Sequence, residues 1–156
     1  MGAREQRMVE LGFSPECNLK TGAIYRPVVI DGTTAYVAGC VPYDENQQLV
    51  SRGKVPTDVS LEEAQKAAAL CAANILRLVR REVGSLDRIE RMLKVLGFVN
   101  SHPDYGAQHL VINGASQLFV DVLGEQGWHA RSAVGMASLP NNASVEVEAI
   151  IKLKPA

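Results

Sequence analysis

Apolar positions along this chain fall into two rhythms. Leu61, Ala64, Ala68, Cys71, Ile75 and Val79 recur at three- and four-residue spacing, the stripe of an amphipathic helix. Ser60 with Glu63 three residues later forms a capping box ahead of that stripe, and Gly84 is a natural stop, so a helix is predicted over Ser60 to Val83. Near the C-terminus the period changes. Val145, Val147, Ala149, Ile151 and Leu153 alternate with Glu146, Glu148, Lys152 and Lys154, and only Ile150 breaks the pattern. That is a strand with one dry face and one mixed face.

The same reading extends to the rest of the chain. Ala23 to Ile30 and Thr34 to Cys40 are predicted strands joined at Asp31-Gly32, a hairpin dipeptide. Pro42 ends the second, and Tyr43 to Pro56 is a polar loop. Arg88 to Val99 is a long strand in which Gly97 marks a bulge. After a loop from Ser101 to His109, Asn113 is the N-cap of a second helix that buries Leu118, Phe119, Val122 and Leu123; Gly124 and Gly127 close it. Arg131 to Ser138 is the next strand and Val145 to Leu153 the last. Residues 1–20 show no clear period and read as a mixed entry. The order β-β-α-β-α-β-β predicts one α+β domain over residues 1–156, with two helices packed on one face of a mixed sheet. Apolar residues remain for the other face, and self-association is the simplest way to cover them.

Composition narrows the function classes. A net charge of −1 supplies no global field for nucleic acid or anionic lipid. The three cysteines, Cys17, Cys40 and Cys71, and the three histidines, His102, His109 and His129, have no metal-ligand spacing, so neither a disulfide framework nor a metal site is expected. The first ten residues carry no apolar signal core, and no apolar run is long enough to span a membrane. A cytoplasmic protein is expected.

One segment carries charge into apolar surroundings: His129-Ala130-Arg131-Ser132-Ala133-Val134-Gly135, followed by Val145-Glu146-Val147-Glu148. Arg131 has two readings. An arginine fork is well shaped to hold a small carboxylate in two parallel bonds; alternatively, Arg131 is a strand-end residue paired with Glu146 or Glu148. If the last two strands formed a simple hairpin, Arg131 would oppose Lys152 and stand about 20 Å of strand from Glu146. The two share a site only if the strands are not hairpin neighbours or a second subunit completes it. The other candidates read more plainly. Cys40 has no histidine placed in sequence to activate it and reads as a small buried hydrophobe. Ser132 lacks a visible base. His129, beside Trp128, is either a general base or a loop residue, and Tyr25 a core-edge tyrosine able to donate a hydrogen bond.

Val37-Ala38-Gly39-Cys40-Val41-Pro42, Glu62-Glu63-Ala64 through Asn74, Gly84-Ser85-Leu86-Asp87-Arg88-Ile89, Val111-Ile112-Asn113-Gly114-Ala115-Ser116, and Ala130 to Ile150 occur in the order found in the YjgF/Rid family of reactive-intermediate deaminases. The chain resembles that family over roughly residues 20–153, most of all a branch labelled endoribonuclease L-PSP-like. The resemblance implies a chorismate-mutase-like α+β fold, assembled as a homotrimer with clefts between subunits. It also implies hydrolysis of small enamines and imines, such as 2-aminoacrylate, to 2-keto acids and ammonia without metal or organic cofactor. Carried over by position, Arg131 is the carboxylate clamp and Glu146 orients the attacking water. Tyr25, Ala38, Gly39, Cys40 and Ala133 line the cleft. Ala38, Cys40 and Ala133 stand where the deaminases commonly carry serine, glutamine and cysteine, which makes the pocket more apolar and the substrate harder to name. The alternatives are a trimer that binds small carboxylates without turnover, or an endoribonuclease or translation inhibitor; the charge balance argues against the last.

Overall fold

A computed structural model describes residues 1–156. The predicted long helix is present as Leu61–Val83, here α2. The Ser60 hydroxyl accepts from Glu63 N and the Glu63 carboxylate accepts from Ser60 N, each at 3.2 Å. These two bonds satisfy orphan donors of the first turn. Gly84, at φ 87°, ends the helix in the left-handed region that glycine enters without a Cβ clash. Ala64, Ala67, Ala68, Cys71 and Ala72 are buried along one side, and their small side chains let α2 lie close to the layer beneath.

That layer is a sheet of five strands: β1 (Val28–Asp31), β2 (Thr34–Cys40), β3 (Ile89–Asn100), β4 (Ala130–Met136) and β5 (Val145–Leu153), in the order β1-β2-β5-β3-β4. All neighbours are antiparallel except β3 and β4, which run parallel. A parallel pair needs a crossover connection, and α3 (Gln108–Leu123) provides it. β5 shows strict in–out alternation, with Val145, Val147, Ala149, Ile151 and Leu153 all buried. These face α2 and α3 together with Met92, Val95 and Val99 of β3. The second sheet face carries Tyr36, Leu96, Phe98, Val134 and Ile150 among Lys94, Glu146, Glu148 and Lys152, all partly or well exposed. The α+β architecture, mixed sheet and one-sided helices agree with the sequence reading.

Four local expectations are corrected. Residues 1–20 are not only an irregular entry: Ala3–Glu10 is a helix, α1, giving three helices. It docks through Met8 and through Glu5, whose carboxylate accepts from Leu86 N at 2.7 Å and the Ser85 hydroxyl at 3.1 Å. The first strand is shorter than Ala23–Ile30, because pairing with β2 begins only at Val28. Asn113 is no N-cap; α3 starts at Gln108, and Asn113 lies in its second turn. Gly97 is no bulge, since it pairs regularly with Ala133 and Val147; the register shifts of β3 lie between Ile89 and Lys94. Gly97 is small because Ile112 of α3 sits directly on it, 2.5 Å from where a Cβ would be.

Candidate functional site

β4 places Arg131 opposite Val95 of β3, which is buried on the helix side, so the arginine projects toward α3. There its Nη1 donates to Asn113 Oδ1 at 2.9 Å and to Ser116 Oγ at 3.1 Å, and its Nη2 donates to the His109 carbonyl at 3.1 Å. Asn113 and Ser116 share a helix face because they are three residues apart. A guanidinium has five N–H donors; three are held by these acceptors, leaving that of Nε and one on Nη2 without a protein partner. No carboxylate pairs with Arg131: the ion pairs of the chain involve Arg7, Arg77, Arg80 and Lys152. This removes the reading of Arg131 as the partner of Glu146 or Glu148. Burial draws its pKa below the ordinary value, and the cation lines an open cavity of about 400 Å³ with Asn113, Ser116, Trp128 and His129.

His129 is part of the same wall. Its Nδ1 lies 2.7 Å from the Gly127 carbonyl, which can only accept, so Nδ1 carries the proton. In the neutral ring Nε2 is then an acceptor, and it receives the Ser116 hydroxyl at 2.9 Å. Burial lowers the His129 pKa; the Gly127 bond opposes that and the Arg131 charge adds to it. The edge-to-face contact with Phe119, 5.8 Å between centroids, holds the ring. Ser132 points to the other sheet face, toward Lys94 Nζ at 3.4 Å, away from any histidine.

Glu146 lies elsewhere. It pairs with Phe98, three positions along β3 from the partner of Arg131, and alternation puts it on the opposite face of the sheet. β4 and β5 are not hairpin neighbours, because β3 separates them. Glu146 instead joins Tyr25, Ala38, Gly39 and Cys40 around a second cavity of about 520 Å³. This cavity opens ahead of the start of β1 at Val28, where β2 bulges between Val37 and Cys40. Burial, and then the Glu148 charge, push the Glu146 pKa above the ordinary carboxylate value. The Cys40 thiol is buried, and burial, Glu146 and Cys17 push its pKa up to about 12, so it is a poor nucleophile at neutral pH.

The expected cleft residues therefore form two groups. Arg131 and Ala133 lie toward α3, whereas Tyr25, Ala38, Gly39, Cys40 and Glu146 surround the other cavity. Sequence reasoning missed Asn113 and Ser116 as partners of Arg131; Ser116 entered it only as the last residue of the Val111–Ser116 motif. Their helical spacing, matched to the two-residue spacing of His129 and Arg131, was the available signal. Among the described residues no cluster of His, Cys, Asp and Glu is arranged to hold a metal ion.

Comparison with known proteins agrees with this architecture. The chain is 38% identical over 130 residues to Protein TCP17 of Trypanosoma cruzi, covering 83% of this chain and 81% of that protein. The crystal structure of the protein Atu1372 from Agrobacterium tumefaciens superposes with a TM-score of 0.90 at 48% identity, covering 97% of this chain and 94% of that one. A protein of Shewanella oneidensis described as a putative endoribonuclease gives 0.92 at 25% identity, covering 97% and 100%. Residues 5–153 match the family described as "YjgF/chorismate mutase-like, putative endoribonuclease", and the chain belongs to that family.

Proposed function

We propose that this protein hydrolyses small enamines or imines bearing a carboxylate, 2-aminoacrylate-like compounds, to 2-keto acids and ammonia. Arg131 anchors the carboxylate and Glu146 orients the water. The observation that carries this reading is the state of Arg131: a cation fixed by three neutral acceptors, paired with no carboxylate, and open to a cavity. Its two remaining donors suit the two oxygens of a carboxylate. An imine carbon is already electrophilic, so holding it beside a positioned water provides much of the acceleration. The raised pKa of Glu146 suits a carboxylate that accepts a proton from that water.

Because Arg131 and Glu146 project from opposite faces of one sheet, the reading requires a cleft between two copies, Arg131 and Ala133 from one and Glu146, Tyr25 and the Ala38–Cys40 segment from the next. The half-apolar second sheet face, with Tyr36, Leu96, Phe98 and Ile150, supports assembly through that layer, and a homotrimer is proposed. Sedimentation that finds only a 16.8 kDa species at micromolar concentration overturns it.

A second reading is a trimer that binds small carboxylates without turnover. It is favoured by Ala38, Ala133 and the unreactive Cys40, which leave few polar groups near the reacting atoms. Following the decay of 2-aminoacrylate, generated by a coupled dehydratase, separates the two. Faster decay with wild type but not with Arg131→Ala supports the deaminase. No acceleration, with carboxylate binding retained, supports the binding protein.

A further inference from the structure

We propose that Ser116 and His129 form a nucleophile–base pair that gives the Arg131 cavity a second activity, the hydrolysis of small esters that carry a carboxylate.

The parts are present within one chain. The Ser116 hydroxyl donates to His129 Nε2 at 2.9 Å, and His129 Nδ1–H donates to the Gly127 carbonyl at 2.7 Å. A nucleophile bonded to a base, with the base oriented by a third group, is the arrangement that activates serine. A backbone carbonyl fills the orienting role here. Phe119 packed edge-on keeps the imidazole from turning. Arg131 Nη1 donates to Ser116 Oγ at 3.1 Å, so its fixed positive charge stands near the attacked carbon and favours the negative charge that develops on the ester carbonyl oxygen once Oγ has bonded there. The same charge, with burial, keeps His129 neutral and able to accept a proton.

Access and selectivity come from the same wall. Ser116, His129 and Arg131 all line the cavity, and Ser116 is only partly buried. The free donors of Arg131 select an acid group on the substrate. Asn113 uses Oδ1 to accept from Arg131, and its amide N–H groups donate to no group of the chain. The pair has no use for Glu146 or a second copy of the chain.

In the reaction, Ser116 Oγ bonds to the ester carbon while its proton passes to His129 Nε2. The carbon–oxygen bond to the leaving group breaks, and that oxygen takes the proton and departs as the alcohol. Water then adds to the acylated serine, giving a proton to Nε2. The bond to Oγ breaks, the proton returns to Oγ, and the acid is released.

The experiment uses the full chain and two readouts that involve no imine. A fluorophosphonate, which bonds to an activated serine with loss of fluoride, is followed by peptide mapping. Hydrolysis of the 4-nitrophenyl monoester of succinate is followed by nitrophenolate release. Labelling at Ser116 is expected in wild type, absent in Ser116→Ala, and at least about a hundredfold slower in His129→Gln, by the usual contribution of a general base. The wild-type rate should fall as pH drops below 6.5 toward the depressed pKa of His129. Wild type that leaves Ser116 unlabelled overturns the proposal, as does monoester hydrolysis equally fast in well-folded Ser116→Ala. In either case Ser116 and His129 serve only to brace Arg131. Loss of imine turnover would leave this proposal standing, and failure of labelling would leave the deaminase reading standing.

Discussion

Gly39 and Glu146 meet across the β2–β5 seam so closely that a Cβ at position 39 would lie 2.5 Å from Glu146 Oε2 and 2.9 Å from its Cδ. The obstacle is the end of a side chain and not backbone, so Gly39→Ala is accommodated by turning the carboxylate. The variant should fold with a stability loss of about 1 kcal/mol, the lower end of overpacking costs. Imine turnover should fall while carboxylate affinity stays. Parallel measurement of turnover and of keto-acid binding checks the separation; equal loss of both would remove the assigned role of Glu146.

Arg131→Ala removes two free donors and three bonds at a partly exposed site. Hydrogen bonds to a charged group contribute about 1.5–3 kcal/mol, so affinity for small carboxylates should drop roughly ten- to hundredfold. Calorimetric titration with a 2-keto acid measures this, and circular dichroism should remain native. An unfolded variant would mark Arg131 as structural.

The raised pKa of Glu146 has two consequences with definite signs. Turnover should rise with pH as the carboxylate ionises, at a pH above 4.5. Stability runs the other way. A folded pKa above the unfolded value gives a contribution that is fully present below 4.5 and is lost as pH rises through the folded pKa. Glu146→Gln should therefore gain stability relative to wild type at pH 7 and lose that advantage near pH 4, as read from urea midpoints.

Glu5 tests how α1 is fastened. Burial alone would raise its pKa, but the bonds from Leu86 N and Ser85 and the charge of Arg80 together lower it. Glu5→Ala strands the buried Leu86 N–H, a loss of about 1–3 kcal/mol. The wild-type contribution should be present above pH 4.5 and disappear as pH falls through the depressed pKa. Denaturation of both proteins at pH 7 and pH 3 gives the comparison; a constant difference would contradict the assignment.

Gly114→Ala should be costlier than Gly39→Ala. Its Cβ would collide with the Gln65 carbonyl oxygen of α2, a backbone atom that cannot swing aside. The helices must separate, and a loss of about 3 kcal/mol or more is expected from overpacking. A chemical denaturation curve close to wild type would show that α2 and α3 can part without penalty.

Legibility in the sequence followed the range of the interaction. α2 was readable with its capping box because Ser60 and Glu63 are near neighbours and its stripe repeats from Leu61 to Val79, about five turns. β5 was readable because its alternation is strict. α1 was not, since eight residues cannot sustain a helix without Glu5 and Met8 docked against Leu86 and the core. Asn113 resembled a cap because an amide in mid-helix has few local reasons to exist; its reason is Arg131, eighteen residues away.

The sequence by itself determined α2 and the five strands in outline, a second helix before β4, the layering of helices on one sheet face, and Arg131 and Glu146 as the residues most in need of explanation. Those properties follow from periods and caps spanning a few residues. Tertiary structure alone decided that β5 lies between β2 and β3, that Arg131 and Glu146 leave the sheet on opposite faces, and that Ser116, His129 and Arg131 converge on one cavity. Strand order and side-chain convergence depend on contacts between distant segments, and no local period encodes which distant partner a strand or a polar side chain will meet.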